Sequence, residues 1–206
     1  WKRLQASEKI EQIVIATSTD VSDDPIVEFC ESNEILCFRG SLHDVLARFH
    51  GAAAQFDADP IVRVTSDCPV VDPTIVDEVI QGYFKGDFHS YILAGEFPDG
   101  LDCSVFSREL LDKAFLEAEL PSEREHVEPY MKTLGDSYKL GCYEKFKGLG
   151  HHRWTLDEER DYELLSALYS ELYRPNEIFS TQEILDLLEA REDILQLNQG
   201  IVRNEG

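Results

Sequence analysis

Two rhythms of apolar and polar residues alternate along the first hundred positions. Unbroken apolar runs of strand length, Ile13-Val14-Ile15-Ala16-Thr17, Leu36-Cys37-Phe38-Arg39 and Ile61-Val62-Arg63-Val64-Thr65, are separated by stretches in which apolar residues recur every three or four positions. The second rhythm predicts a helix from about Asp24-Pro25 to Ser32. It predicts another from an N-cap at Ser41 through Phe56, with Leu42, Val45, Leu46 and Phe49 turned inward, and a third over 73–85, with Ile75, Val76, Val79 and Ile80 on its inner side. A further strand, Ser90-Tyr91-Ile92-Leu93, runs into the loop Gly95-Glu96-Phe97-Pro98-Asp99-Gly100-Leu101-Asp102. Apolar runs without alternation are strands buried on both faces, and strands alternating with helices predict a doubly wound, mostly parallel α/β sheet.

From Cys103 the rhythm changes. Cys103 to Phe106 reads as a strand feeding a helix at Ser107. Pro121 to Glu125 reads as the start of another helix, with Ser122 as N-cap and a Glu at the third helical position, and Tyr138 to Tyr143 as a strand. Residues 103–150 are therefore expected to pair antiparallel and to hang off the main sheet. His151 to Asp157 reads as a short strand ending in a carboxylate, Glu158 to Leu172 and Thr181 to Ala190 as helices, and the remainder as a polar tail. Residues 1–206 form one domain in this reading.

Charge narrows the partners. Asp and Glu outnumber Lys and Arg 41 to 19, for a net charge of −22, with no basic run. Such a field repels nucleic acid and anionic membranes, so a phosphate-bearing ligand needs a local Arg or a bound cation. No apolar run approaches the ~18 residues of a membrane span, and the start Trp-Lys-Arg-Leu-Gln lacks a secretory core, so a cytoplasmic protein is expected. Cys30, Cys37, Cys68, Cys103 and Cys142 are odd in number, widely spaced and without a C-x-x-C pair, which reads as reduced thiols rather than a zinc site. The single methionine is Met131, so Trp1 is not an encoded start. Residues 1–11 read as the tail of a helix that begins upstream.

Two carboxylates occupy similar places. Asp67 follows the central strand at the carboxyl edge of the sheet, where open α/β folds bind ligands, and Asp157 ends a second predicted strand. Two acids on neighbouring strand ends suit Mg²⁺ that keeps several waters and bridges nucleotide phosphates. Turn capping explains Asp67 equally well, and the helix dipole explains Asp157 with Glu158, Glu159 and Asp161 behind it. Pro98-Asp99-Gly100-Leu101-Asp102 sets a Gly between two acids, as a polyol-binding loop or an ordinary turn. Ser122-Glu123-Arg124-Glu125-His126 places an Arg and a His at a helix N-terminus, as an anion site or a solvated face. Arg39 lies near a strand end, and Arg63, inside an apolar run, either pairs with a buried acid or reaches a ligand. His151-His152 lacks the spacing of a zinc helix and reads as structural.

Six ordered motifs together carry a resemblance. They are Ile-Ala-Thr-Ser at 15–18, Phe-Arg-Gly-Ser with Asp-Val-Leu-Ala-Arg at 38–48, Arg-Val-Thr-Ser-Asp-Cys-Pro at 63–69, Pro-Asp-Gly-Leu-Asp at 98–102, Ser-Glu-Arg-Glu-His-Val at 122–127, and Arg-Trp-Thr-Leu-Asp with Asp-Tyr at 153–162. This chain resembles the cytidylyltransferase-like proteins of spore-coat polysaccharide biosynthesis, relatives of the synthetases that make CMP-activated acidic sugars. The resemblance implies a Rossmann-like sheet of the nucleotide-diphospho-sugar transferase type with a small antiparallel arm, over 103–150, through which a homodimer forms. It implies attack of a sugar hydroxyl on the α-phosphate of CTP with Mg²⁺, Asp67 and Asp157 as metal acids, and substrate contacts from Arg39, Arg63, Ser66, Asp99, Gly100, Asp102, Glu123, Arg124 and His126.

Two departures stand out. Where relatives place a second acid upstream at the second metal position, this chain has Thr155. The family's opening strand and basic loop, typically Ala-Arg-x-x-Ser-x-Arg-Leu-Pro-x-Lys, matches nothing here, so a chain lacking that strand and loop is expected. Two other readings stay open: a non-catalytic sugar- or nucleotide-binding dimerisation module, and a glycosyltransferase of related topology. The second usually carries Asp-x-Asp where this chain reads Ser-Asp-Cys.

Overall fold

A computed structural model describes residues 1–86, 88–93, 97–135 and 138–201. The expected strands and helices of the first half are present with small shifts at their ends. β1 (Val14–Ser18) pairs in parallel with β2 (Leu36–Gly40), and α1 (Asp24–Ser32) connects them after a 3-10 turn at Val21–Asp23. α2 (Val45–Gln55) begins three residues later than expected. Its N-cap is Asp44, which accepts a 2.8 Å bond from the Ala47 N–H, while Ser41 Oγ accepts from the Asp44 N–H. Leu42 thus lies outside the helix and is exposed.

β3 (Ile61–Arg63) is shorter than its apolar run, and α3 (Pro73–Gly86) follows, opened by Asp72, whose carboxylate accepts from the Thr74 N–H at 2.9 Å. β4 (Ser90–Leu93) comes next; Gly95 and Glu96 of the expected loop lie outside the described residues. β5 (Ser104–Phe106), α4 (Arg108–Glu117), α5 (Pro121–His126), α6 (Glu128–Thr133) and β6 (Leu140–Tyr143) complete the middle. Then come α7 (Glu159–Leu172), α8 (Thr181–Ala190) and a short α9 (Glu192–Leu195) that the pattern did not predict. Residues 202–206 of the expected tail lie outside the described set.

Sheet order corrects one expectation. β5 does not hang off the sheet but lies inside it, antiparallel to both neighbours in the order β3-β5-β4-β6, with β6 parallel to β4. The expected antiparallel pairing is observed, but three buried residues do not show which strands are the partners, which belongs to topology. β1 and β2 form a separate two-stranded piece, and α2 packs on both of these strands and on α4 and α5.

The pleat sends alternate residues of β5 to two cores. Val105 joins the α3, α7 and α8 side with Val76, Val79, Leu164, Leu168 and Ile184, while Phe106 joins Leu46, Ile61, Leu110, Leu111 and Met131 on the other. The result is a helix–sheet–helix sandwich. Residues 1–11, expected as a helix tail, make a single 3-10 turn, Leu4–Ala6. Beside it Arg3 is buried, donating to the carbonyls of Val71 at 2.6 Å and Phe179 at 2.7 Å. The five cysteines are all free thiols.

Candidate active site

The segment 151–157, expected as a strand, makes only an isolated bridge between Asp99 and Arg153, and its other backbone bonds are what assemble the site. The Leu156 N–H donates to the Asp67 carbonyl at 2.8 Å, and Thr155 Oγ1 donates to the same oxygen at 3.1 Å. These two bonds fasten the loop leaving β3 to the residue before Asp157, and so bring the two predicted acids to one edge of the sheet. Thr155 acts here as a buried tie between the two segments.

The loop 98–102 is laid onto the same segment. The Asp99 N–H donates to the His152 carbonyl at 3.0 Å, and the Trp154 N–H donates to the Asp99 carbonyl at 2.6 Å. Gly100 makes this approach possible. Its φ of +99° lies in the left-handed region, and a Cβ there would come within 2.5 Å of the Trp154 carbonyl carbon. The role of this glycine is close packing. The Gly100 N–H in turn donates to Asp102 Oδ2 at 3.1 Å.

At the centre stands Arg153, a residue whose role sequence reasoning missed. Its Nε bonds both oxygens of the fully buried Asp161, at 3.0 and 3.2 Å. Nη2 bonds Asp161 Oδ2 at 2.9 Å and Asp157 Oδ2 at 2.8 Å, and Nη1 bonds Asp99 Oδ2 at 3.1 Å. Burial pushes the Asp161 carboxyl up, but bonds from Arg153, from Asn198 and from the backbone at Glu158 and Asp157 outweigh it and leave it below the carboxylate range. Burial lowers Arg153, and the same carboxylates raise it past its ordinary value. Arg153 was visible in the sequence as a cation four residues before one acid and eight before another, a spacing that gains meaning only when the loop folds back on α7.

Asp67 is half-buried, and among the described residues its carboxylate takes a single weak contact, from the Cys68 thiol at 3.5 Å. Burial pushes that thiol far above the usual range, so it stays protonated. Asp157 keeps Oδ1 without a partner among the described residues, and Ser66 beside Asp67 is exposed. No group of three or more His, Cys, Asp or Glu side chains gathers as a metal site among the described residues. Two carboxylates with open oxygens fit a hard divalent cation that completes its shell with water and phosphate oxygens.

The remaining predicted residues lie elsewhere. Register pairs Arg63 with Ser104 on one face, and both reach Glu128: Arg63 Nη1 at 3.2 Å and Ser104 Oγ at 2.6 Å. Of the two readings of Arg63, the buried acid is therefore the one observed. Between α5 and α6, Val127 is fully buried with φ +69°, a region β-branched residues rarely enter, and this turn separates His126 from Glu128. Arg39 clasps the loop after β1, donating to the carbonyls of Ser18 and Asp20 and pairing with Asp24 at 2.8 Å. Arg124 forks onto Asp44, with Nη2 to Oδ2 at 2.5 Å, and donates to the Phe115 carbonyl at 2.8 Å. Ser122 does not cap α5. That helix starts at Pro121, and Glu123 reaches back to accept from the N–H groups of Glu119 and Leu120. His126 is half-buried and makes no hydrogen bond among the described residues.

A sandwiched α/β sheet in which the loop leaving β3 carries an open acid, with a second acid brought beside it by residues 151–157, defines a Rossmann-like protein with its site at the carboxyl edge of the sheet. The chain belongs to the cytidylyltransferase family, whose model it matches over residues 1–171. It is 32% identical to the spore coat polysaccharide biosynthesis protein SpsF of Bacillus subtilis, over 89% of this chain and 77% of that protein. An uncharacterised protein of Methanocaldococcus jannaschii is 31% identical over 97% of this chain and 82% of its own length. A solved cytidylyltransferase from Leptospira borgpetersenii superposes with a TM-score of 0.89 at 30% identity, over 98% of this chain and 85% of the other. CMP:2-keto-3-deoxy-manno-octonic acid synthetase, solved with CTP, shares the fold with a TM-score of 0.60 at 10% identity, over 84% and 86% of the two chains.

Proposed function

We propose that this protein is a Mg²⁺-dependent cytidylyltransferase that activates a sugar with CTP for a surface or spore-coat polysaccharide. The observation that carries the reading is the pair of hydrogen bonds donated by Thr155 Oγ1 and the Leu156 N–H to the Asp67 carbonyl, which brings Asp67 and Asp157 to the same sheet edge beside the Asp99–Asp102 loop. Asp67 and Asp157 would hold the cation, which when bound supplies Lewis-acid polarisation of the CTP phosphates. The protein's own part is placement. Asp102 and the 98–102 loop lie beside the cation acids and are suited to orient a sugar hydroxyl toward the α-phosphorus as the bond to pyrophosphate breaks. Arg39, Arg63 and Arg153 are each held by carboxylates, and a triphosphate's charge would be met in part by the divalent cation.

Support for the substrates comes from the family match and the name of the Bacillus relative. Calorimetric titration of the 206-residue chain with CTP tests the reading. Magnesium-dependent binding that disappears in Asp67→Asn is expected; binding indifferent to both magnesium and Asp67 would overturn it. We further infer a homodimer formed through residues 103–150, where Leu116 of α4 and Leu120 before α5 are 78% and 58% exposed.

A further inference from the structure

Only 6% of the Arg153 side chain is exposed, and a guanidinium so placed needs partners for its N–H donors as well as an acid for its charge. Asp161, wholly buried and gripped through both oxygens, takes Nε and one proton of Nη2, and Asp157 and Asp99 take the other Nη2 proton and a proton of Nη1. The bonds that satisfy the guanidinium therefore also restrain those two acids. Asp157 is exposed and sits before the first turn of α7, where nothing else described restrains its side chain. The 2.8 Å bond from Arg153 Nη2 to Oδ2 fixes the plane of the carboxylate and leaves Oδ1 without a partner.

Behind the guanidinium the support is continuous. Asp161 accepts from the N–H groups of Asp157 at 3.2 Å and Glu158 at 3.0 Å. Asn198 Nδ2 donates at 2.8 Å both to Asp161 Oδ1 and to the Arg153 carbonyl.

We propose that Arg153 is a positioning residue that aims Oδ1 of Asp157 at the divalent cation, with Asp161 and Asn198 holding the guanidinium in place. The inference rests on reading Asp67 and Asp157 as the cation's ligands. The same guanidinium holds Asp99, so the loop facing the sugar and the acid facing the metal keep a fixed relation. Coulomb's law opposes this role, because a positive charge beside a cation site lowers affinity. Orientation by outer partners works the other way, and its loss typically costs 10- to 100-fold in metal affinity. The two effects differ in sign, which makes the role measurable.

The probe is Mn²⁺ alone, titrated into the ¹⁵N-labelled 206-residue chain and followed by paramagnetic broadening of the backbone amides of residues 66–68 and 156–158. Saturable broadening is expected in the unaltered chain and its loss in Asp157→Asn. In Arg153→Lys, which keeps the charge but not the fork, affinity should fall about 10-fold or more, with amide shifts of core residues such as Val105 and Leu164 unchanged. Affinity equal to or tighter than that of the unaltered chain would overturn the positioning role while leaving the ligands assigned. If Asp157→Asn still binds at these amides, or the unaltered chain never does, the ligand reading itself fails. Should Arg153→Lys not fold, Asn198→Ala takes its place: it loosens the guanidinium's anchor without removing charge, and weakened Mn²⁺ binding is again the expected result, unchanged binding the contrary one.

Discussion

His152 shows how one buried side chain sets a pH response. It is 8% exposed, its ring packs against His151 at 4.2 Å and Trp154 at 5.3 Å, and its Nδ1 has no hydrogen-bond partner. Burial, and to a lesser degree the neighbouring His151, lower its pKa from 6.5 to about 4. In the unfolded chain it takes up a proton below about pH 6.5, which the folded protein resists until pH 4. Stability is therefore complete above pH 6.5 and is lost as the pH falls toward 4. Urea unfolding at pH 7 and pH 5 should show a loss on the order of 2 kcal/mol from this residue. His152→Phe, which keeps a ring against Trp154, should show that much less pH dependence; an unchanged dependence would mean that His152 is protonated in the fold.

At the scale of elements, Asp44 joins two helices that are far apart in sequence. It caps α2 through the Ala47 N–H and accepts the fork of Arg124 from α5. Asp44→Ala removes a cap worth about 0.5–2 kcal/mol and leaves a half-buried guanidinium without its acid. A loss of about 2–3 kcal/mol is expected in urea unfolding. Asp44→Asn keeps the cap and should lose about half of that; equal losses in the two variants would show that the cap contributes little. The Ser122 motif reads as an anion site or a solvated face, and Glu123 and Arg124 both hold α5 in place. A helix-start pattern does not distinguish an anion site from an anchor, because both use the same residues.

For the whole molecule, the exposed Leu116 and Leu120 bear on assembly. Sedimentation should find a dimer at micromolar concentration, and Leu116→Glu should shift it to monomer while leaving the thermal unfolding of the isolated fold nearly unchanged. A chain already monomeric would remove this inference. The central antiparallel β5 also shows that the middle of the chain belongs partly to the main sheet, with Val105 and Phe106 each filling one of its two cores. No helix among the described residues is long and apolar enough to cross a membrane.

Local pattern by itself determined most of the strand and helix succession from β1 to β6, the net acidity, and Asp67 after a strand exit, because each of these depends on neighbours within a few positions. The six motifs pointed to the family that the comparisons show. Tertiary structure alone decided the place of β5 inside the sheet and the pairing of Arg63 with Glu128. It alone decided that Gly100 serves a close backbone approach, and that Arg153 gathers Asp99, Asp157 and Asp161. Each of these is a contact across tens of residues in sequence or a choice among several acids. In a chain with 41 acidic residues, the sequence offers every arginine many partners, and packing selects among them.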